Sequence, residues 1–108
     1  MKILELYEIL QGVGVPVFHY MAVESKPTFI VYSEYASRFE RASGEIWREI
    51  VKVAVTHVSE TEFDPTLDDL KRVLLENKIG FEVQTKFDTE NKLIVSYFEF
   101  EIYSQWKS

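Results

Sequence analysis

The most informative absence in this 108-residue chain is cysteine, which does not occur at all. Without cysteine there can be no disulfide framework, thiolate-bound zinc, iron–sulfur cluster or thiol nucleophile. Long apolar runs are absent too, because the longest stretch without Asp, Glu, Lys or Arg is residues 9–23 and is interrupted by two glycines and a proline. A membrane-spanning helix needs roughly 18 apolar residues or more, so this stretch is too short to form one.

The first ten residues do not have the pattern of a secretion signal, because Glu5 and Glu8 would fall inside its apolar segment. Together with the lack of cysteine, this predicts a cytoplasmic protein. Basic residues are also in the minority, with 12 Lys and Arg against 18 Asp and Glu and a net charge of −6. We therefore expect no tight binding to nucleic acid and no membrane partner.

Apolar and aromatic residues are plentiful: 46% of the chain is hydrophobic, and it contains eight Phe, six Tyr and two Trp. A chain of this length and composition buries about 65% of its unfolded surface, which is enough to fold without a partner. A second core would need roughly 100 further residues. We therefore expect a single domain over residues 1–108.

Two segments have helical periodicity, since their apolar residues recur at spacings of three and four and share one helix face. The first stripe is Ile3, Leu6, Tyr7 and Leu10, and the second is Leu67, Leu70, Val73 and Leu74. Gly12 is predicted to end the first helix in the left-handed conformation. Asp64 and Pro65 predict the N-cap and first turn of the second helix, which should end near residues 77–80.

Five segments have the composition or the period-two alternation of strands. They are residues 15–21, 28–35, 45–57, 81–87 and a final run through Phe98, Phe100 and Ile102. Residues 24–27 predict a turn, and residues 37–44 predict a polar connection between the second and third strands. In the third strand, Val53 is predicted to face the core and Lys52 the solvent. The fourth strand is predicted to have one apolar and one solvated face.

The predicted element order is α-β-β-β-α-β-β. Hairpins join neighbouring strands, and no connection has the regularity of a βαβ unit. The fold class is therefore α+β, with an antiparallel sheet of four to five strands and two helices on one of its faces.

No arrangement of residues has the spacing of a catalytic or metal site. The two histidines lie on predicted strands, and no serine lies in a Gly-x-Ser-x-Gly turn. His57 with Glu60, Glu62 and Asp64 has two interpretations, a cation site or a solvated acidic loop before a helix. The second is favoured, because the segment lacks the turning glycine and spacing of a cation-binding loop. We expect no enzymatic activity, catalytic residue, cofactor or metal ion.

Aromatic residues are concentrated in the hairpin of the second and third strands. Tyr and Trp are enriched at protein interfaces, and one small core can use only some of the chain's aromatic residues. The outer half of the third strand, residues 46–50, has mixed polar and apolar faces and is predicted to project from the core. The candidate interface residues are Tyr35, Arg38, Phe39, Arg41, Ile46 and Trp47.

The order and spacing of several segments resemble a known family. These segments are residues 6–10, 14–17, 27–32, 63–67 and 90–102. They resemble the small tail-completion, or tail-terminator, proteins of long-tailed phages and of prophages of Gram-positive bacteria. The resemblance covers nearly the whole chain, although no single motif in it is catalytic.

The resemblance implies a structural virion protein that assembles as a ring, usually a hexamer, at the head-proximal end of the tail. Its implied partners are other copies of itself and the tail-tube and head-connector proteins. Its implied location is the host cytoplasm during assembly and then the virion tail. Two other classes stay open from the residues alone: a small α+β enzyme or ligand-binding protein anchored on His19 or His57, and a cellular adaptor that binds by strand addition.

Overall fold

Two helices and five strands follow one another in the predicted order, which confirms the α+β class. The computed structural model describes residues 1–23, 26–42, 44 and 46–107. The elements are α1 (Ile3–Gln11), β1 (Val17–His19), β2 (Phe29–Ala42), β3 (Ile46–Ser59), α2 (Pro65–Glu76), β4 (Glu82–Asp88) and β5 (Leu93–Lys107). Neither helix is long and apolar enough to cross a lipid bilayer within this part of the chain.

The five strands form one sheet in the order β1-β2-β3-β5-β4. The prediction of a purely antiparallel sheet is wrong, because β1 runs parallel to β2, with Val17 opposite Ile30. The N–H of Ile30 donates to the carbonyl of Pro16. After β1, the chain therefore runs back along the sheet edge, and β2 begins beside the first residue of β1. Local composition does not reveal this return. Residues 24 and 25 of the predicted turn lie outside the described residues.

The ends of the helices confirm one prediction and correct another. Asp64 is the N-cap of α2 and accepts a hydrogen bond from the Thr66 N–H at 2.8 Å, as predicted. Gly12 is not left-handed, since its φ is −64° and its N–H still donates to the carbonyl of Ile9. The chain adopts positive φ two residues later, at Gly14, where φ is 91°.

The core lies between the helices and one face of the sheet. Both helices contribute fully buried leucines to the same cluster as Val53 and Val55 of β3, which confirms the predicted facing of the third strand. The main members are Leu6, Leu10, Ile30, Val53, Val55, Leu70, Leu74 and Phe98. Burial of these side chains drives the packing of α1 and α2 onto this sheet face.

The edge strand β4 differs from the prediction, because it has no buried face. Its apolar residues Val83 and Phe87 are exposed, and Phe87 is 61% accessible. The strand pairs only with the first half of β5, at the edge of the sheet. The core leucines of the two helices pack against the middle of the sheet instead, on β2, β3 and β5.

Three strands continue from the core as a ribbon that we call the arm, and Ile50 and Ile102 at its base are still buried. The arm consists of residues 36–42 of β2, 46–52 of β3 and 101–107 of β5, paired in one register from Ala36–Lys52–Glu101 outward. The predicted connection over residues 37–44 is therefore mostly strand, since β2 continues to Ala42; Ser43 lies outside the described residues. The arm helps to give the molecule extents of 52 × 23 × 22 Å.

Candidate functional site

One face of the arm is aromatic. It continues the sheet face covered by the helices, and the residues opposite one another on it are Phe39–Glu49–Ser104 and Arg41–Trp47–Trp106. The rings of Phe39 and Trp106 meet edge to face at 6.2 Å, and the guanidinium of Arg41 lies 5.9 Å from the ring of Trp47. We call Phe39, Arg41, Trp47 and Trp106 the aromatic face.

Two contacts from outside the four residues orient the aromatic face. The ammonium of Lys2, just before α1, lies 4.0 Å from the centre of the Trp106 ring. The indole N–H of Trp106 donates to Glu49 at 3.2 Å. A cleft of about 460 Å³ separates this face from the start of α1, and Ile3 and Val51 contribute to its lining. The charged lining of this cleft is mixed, with Lys2 on one side and the carboxylates of Glu34 and Glu49 on the other.

The opposite face of the arm is ionic. Glu40 accepts from Arg48 at 3.3 Å and lies 3.7 Å from Arg38. The guanidinium of Arg48 also lies 5.3 Å from the ring of Tyr103. These pairs are exposed, and exposed ion pairs contribute about 0–1 kcal/mol each, so this face adds little to the stability of the arm.

The exposure of the arm marks it as a surface that a partner could cover. Phe39, Trp47 and Trp106 are 54%, 37% and 42% accessible. Within the described residues, no strand pairs with the outer side of β2 or of β5 along the arm. Exposed aromatic clusters and unpaired strand edges are both features that protein partners use.

All six predicted interface residues lie on the arm or at its base, but they do not form one surface. Phe39, Arg41 and Trp47 belong to the aromatic face, whereas Arg38 and Ile46 point to the ionic side. Tyr35 lies at a β-bulge, where the register of β2 shifts between Glu34 and Ala36. Arg38, Phe39 and Arg41 lie in residues 37–44, which the sequence predicted to be a connection. In the structure this stretch is mostly strand, so its side chains alternate between the two faces.

Trp106 and Tyr103 are part of the site and were not among the predicted interface residues. The last predicted strand was a run through Phe98, Phe100 and Ile102, whereas β5 continues to Lys107 and pairs with the whole length of β3. Trp106 continues the even-numbered positions of Phe98, Phe100 and Ile102, and this spacing was the signal that could have extended the strand.

His57 takes part in a buried polar network rather than in a metal site. Its Nε2 lies 2.8 Å from the Thr66 hydroxyl, which donates to Asp64, and Asp64 also accepts from Thr28. Within the described residues, no three His, Asp or Glu side chains are placed to hold a metal ion. Glu60 and Glu62 are exposed, as the interpretation of a solvated acidic loop requires.

The network shifts the pKa values of its two titratable groups. Burial lowers the pKa of His57, and the negative charge of Asp64 opposes this only in part. Burial acts to raise the pKa of Asp64, but hydrogen bonds from Thr66 and Thr28 and the proximity of His57 outweigh it and lower the pKa. The network links β2, β3 and the first turn of α2.

His19 lies in a separate cluster, on the helix-facing side of the sheet but at its β1 edge. Its Nε2 lies 2.9 Å from Glu34, which also accepts from the Tyr20 hydroxyl at 2.6 Å. The ring stacks on Tyr32 with centroids 4.6 Å apart. The hydrogen bond to Glu34 raises the pKa of Tyr20. The two histidines therefore have different partners and do not converge on a common site.

Comparison with known proteins identified no relative of this chain. No protein-family model matches the chain, and no curated protein matches it. The structural features that bear on function are therefore the arm and its exposed aromatic face.

Proposed function

We propose that the chain is a structural virion protein of a phage or prophage, a ring-forming tail-terminator subunit that joins tail to head. The observation that carries the proposal is the arm, a ribbon with exposed aromatic residues and two unpaired edges. A ring subunit needs two different surfaces, because each copy contacts a neighbour on either side. An arm that projects from a small core supplies such a surface without weakening the core.

The proposed partners are other copies of the chain, in a ring that is usually a hexamer in the family it resembles, and the tail-tube and head-connector proteins. The proposed location is the host cytoplasm during assembly and then the virion tail. The net charge of −6 suits a ring through which DNA passes, since repulsion keeps phosphates from adhering to its lumen.

The test is to add the purified protein to assembled tails that lack their terminator and to count tails that then join heads. The native chain is expected to cap the tails and restore joining. The double variant Phe39→Asp/Trp47→Asp is expected to fold but to cap at least about tenfold less well, because buried aromatic anchors dominate interface energies. Failure of the native chain on its cognate tails would contradict the proposed function.

A matched control separates the arm from a general effect of surface charge. Leu75→Asp/Phe87→Asp changes two exposed apolar residues on α2 and β4, away from the arm. This control is expected to cap tails as the native chain does. Equal loss in both double variants would show that the arm has no special role in capping.

The unpaired outer side of β5 favours a second candidate, an adaptor that binds a partner's strand by addition to this edge. The Met1 amino group already donates to the Tyr103 carbonyl on that edge. A proline at an outward-facing position of β5 removes a backbone N–H, so it would abolish binding by strand addition. The ring-forming function is measured separately, by the capping of tails.

A further inference from the structure

The cleft beside Trp106 is lined by a hydrogen-bond acceptor that no donor in the described part of the chain uses, the Oε2 atom of Glu34. Oε1 of Glu34 accepts from the Tyr20 hydroxyl and lies 2.9 Å from His19 Nε2. Oε2 is buried and has no partner among the described residues. Native proteins leave few buried acceptors unpaired, because such a group has lost its water without a replacement. Glu34 therefore offers an acceptor to a donor that enters the cleft.

The side chains that line the cleft favour a cation as its occupant. Glu34 and Glu49 contribute two carboxylates, and Lys2 is the only basic side chain among the described lining residues. Within the described residues, no Lys or Arg forms an ion pair with either glutamate. The Met1 amino group, at the end of the cleft, donates to the Tyr103 carbonyl. The lining side chains therefore carry one net negative charge, and a monovalent cation complements it.

The length of the cleft suits a long side chain. Glu34 pairs with Val53 on β3, and Glu49 lies further out on the same strand. The distance along β3 from Val53 to Glu49 is roughly 13 Å, at about 3.3 Å per residue. Lys and Arg carry their charge at the end of an apolar stem, which packs on apolar surface while the head group reaches a polar site. Val51 and Trp106 supply apolar surface in the cleft, which a small inorganic cation would leave uncovered.

We propose that the cleft binds the side chain of an arginine from a partner protein. The stem packs on Val51 and Trp106, and the guanidinium donates to Oε2 of Glu34. Arginine is preferred over lysine, because its guanidinium is less strongly hydrated, stacks on aromatic rings and presents a fork of donors to a carboxylate. Phe39 and Trp47 lie beside Trp106 and contact the residues that flank the arginine. The inference rests on the proposed function only in that a partner covers the aromatic face.

Nuclear magnetic resonance of the full chain tests this occupant, because the chain has two tryptophans and their indole N–H signals report on the arm. Trp47→Phe assigns the signal of Trp106. The probes are N-acetyl-arginine amide and N-acetyl-citrulline amide, which have nearly the same length and shape but differ in charge. We expect the arginine probe to shift the Trp106 signal in a saturable way. It should bind at least about tenfold more tightly than the citrulline probe, since charge-assisted hydrogen bonds are roughly twice as strong as neutral ones.

Three variants and a control test the charges of the cleft. Glu34→Gln and Glu49→Gln should each weaken binding of the arginine probe by at least about fivefold, because each removes an attracting charge. Lys2→Met should tighten binding by at least about twofold, since Lys2 repels the incoming guanidinium. Glu90→Gln removes an exposed carboxylate at the turn before β5 and should bind the probe as the native chain does. Circular dichroism checks the folding of Glu34→Gln, and Glu49→Gln decides the test if that variant is unfolded.

Four results overturn the inference. Absence of a shift, or equal binding of the arginine and citrulline probes, shows that the cleft does not recognise the charge. Weaker binding in Lys2→Met shows that the cleft favours anions. Tighter binding of N-acetyl-lysine amide or of spermidine shows that the occupant is another cation. Normal capping of tails by a Glu49→Gln variant that no longer binds the probe shows that no partner uses the cleft.

These results are distinguishable from failure of the proposed function. If any of them came with normal capping of tails by the native chain, the proposed function would stand and only this site would be wrong. If the native chain bound the arginine probe as expected but failed to cap its cognate tails, the proposed function would be wrong and the arginine site would stand.

Discussion

At the scale of single residues, the buried polar groups show most clearly which side chains serve the stability of the fold. His57 is almost fully buried and shares the Thr66 hydroxyl with Asp64. A buried imidazole is accommodated as a neutral group, because burial penalises its charged form. The residue that the sequence offered as a candidate ligand therefore serves the stability of the fold, and its titration should be visible in that stability.

The free energy of unfolding should depend on pH through His57. The unfolded imidazole titrates near its ordinary pKa of 6.5, and the folded one titrates lower because it is buried. Stability is therefore fully present above about pH 6.5 and falls as the pH drops towards the folded pKa, since the unfolded chain binds the proton first. Urea unfolding at several pH values between 8 and 5 measures this slope.

The variant His57→Gln should lower stability and flatten the slope in that interval. The lowered pKa of Asp64 acts in a separate window, where its stabilisation is present above about pH 3.8 and lost below it. An unchanged slope between pH 6.5 and 5 in His57→Gln would show that another group is responsible.

Val53 tests the predicted facing of β3. Its side chain is fully buried, so Val53→Asp places an unpaired carboxylate in the core, at a cost of several kcal/mol against a total stability of roughly 5–15 kcal/mol. This variant should be largely unfolded by circular dichroism. Lys52→Asp is the control on the opposite face, and it should cost about 1 kcal/mol or less, through repulsion from Glu101 across the strands. Similar melting curves for the two variants would contradict the assigned facing.

At the scale of elements, the start of α2 joins three parts of the fold. The Asp64 side chain caps the helix through the Thr66 N–H and accepts from Thr28, just before β2. Pro65 follows at the first helical position, where its missing N–H costs nothing. The sequence predicted the cap from its local pattern, but the bond to Thr28 joins residues 36 positions apart and has no local signal.

Removal of the cap should measure this double role. Asp64→Ala is expected to lower the free energy of unfolding by about 1–2 kcal/mol, at the upper end of the range for N-caps, because two partners lose their acceptor. Asp68→Ala, in the first turn of the same helix, should cost less than half as much. Chemical unfolding curves of the two variants provide the comparison, and equal losses would rule out a special role for Asp64.

At the scale of the whole molecule, the arm determines the shape. A compact chain of this length has a radius of gyration of about 13 Å, whereas the structure has 15.3 Å for its Cα atoms. The excess comes from three strands that extend past the two helices. Such a shape places the aromatic face and the loop before α2 at opposite ends of the molecule.

Small-angle X-ray scattering of the monomer tests this shape in solution. If the arm stays extended, the radius of gyration should be at least 15.3 Å, since side chains and hydration add to the Cα value. Phe39→Asp/Trp47→Asp should give the same value, because both side chains are exposed and their loss removes little packing. A monomer value near 13 Å would mean that the arm folds back onto the core.

The sequence by itself determined those features that depend on neighbours along the chain. Apolar spacings of three and four placed the stripes of α1 and α2, and period-two alternation placed Val53 and Phe98 on the buried face, because side-chain direction follows from local backbone geometry. The N-cap of α2 was predicted for the same reason. Tertiary structure decided what depends on pairing between distant segments.

The parallel direction of β1, the extension of β2 and β5 into the arm and the exposure of β4 all belong to this second group. So do the division of the candidate interface between two faces and the bond between His57 and Thr66. Each follows from the order of the strands in the sheet. The rings of Phe39 and Trp106, for example, come into contact only because β2 and β5 both pair with β3. Local pattern contains no record of such pairings, because the free energy that selects them comes from burial shared across the whole sheet.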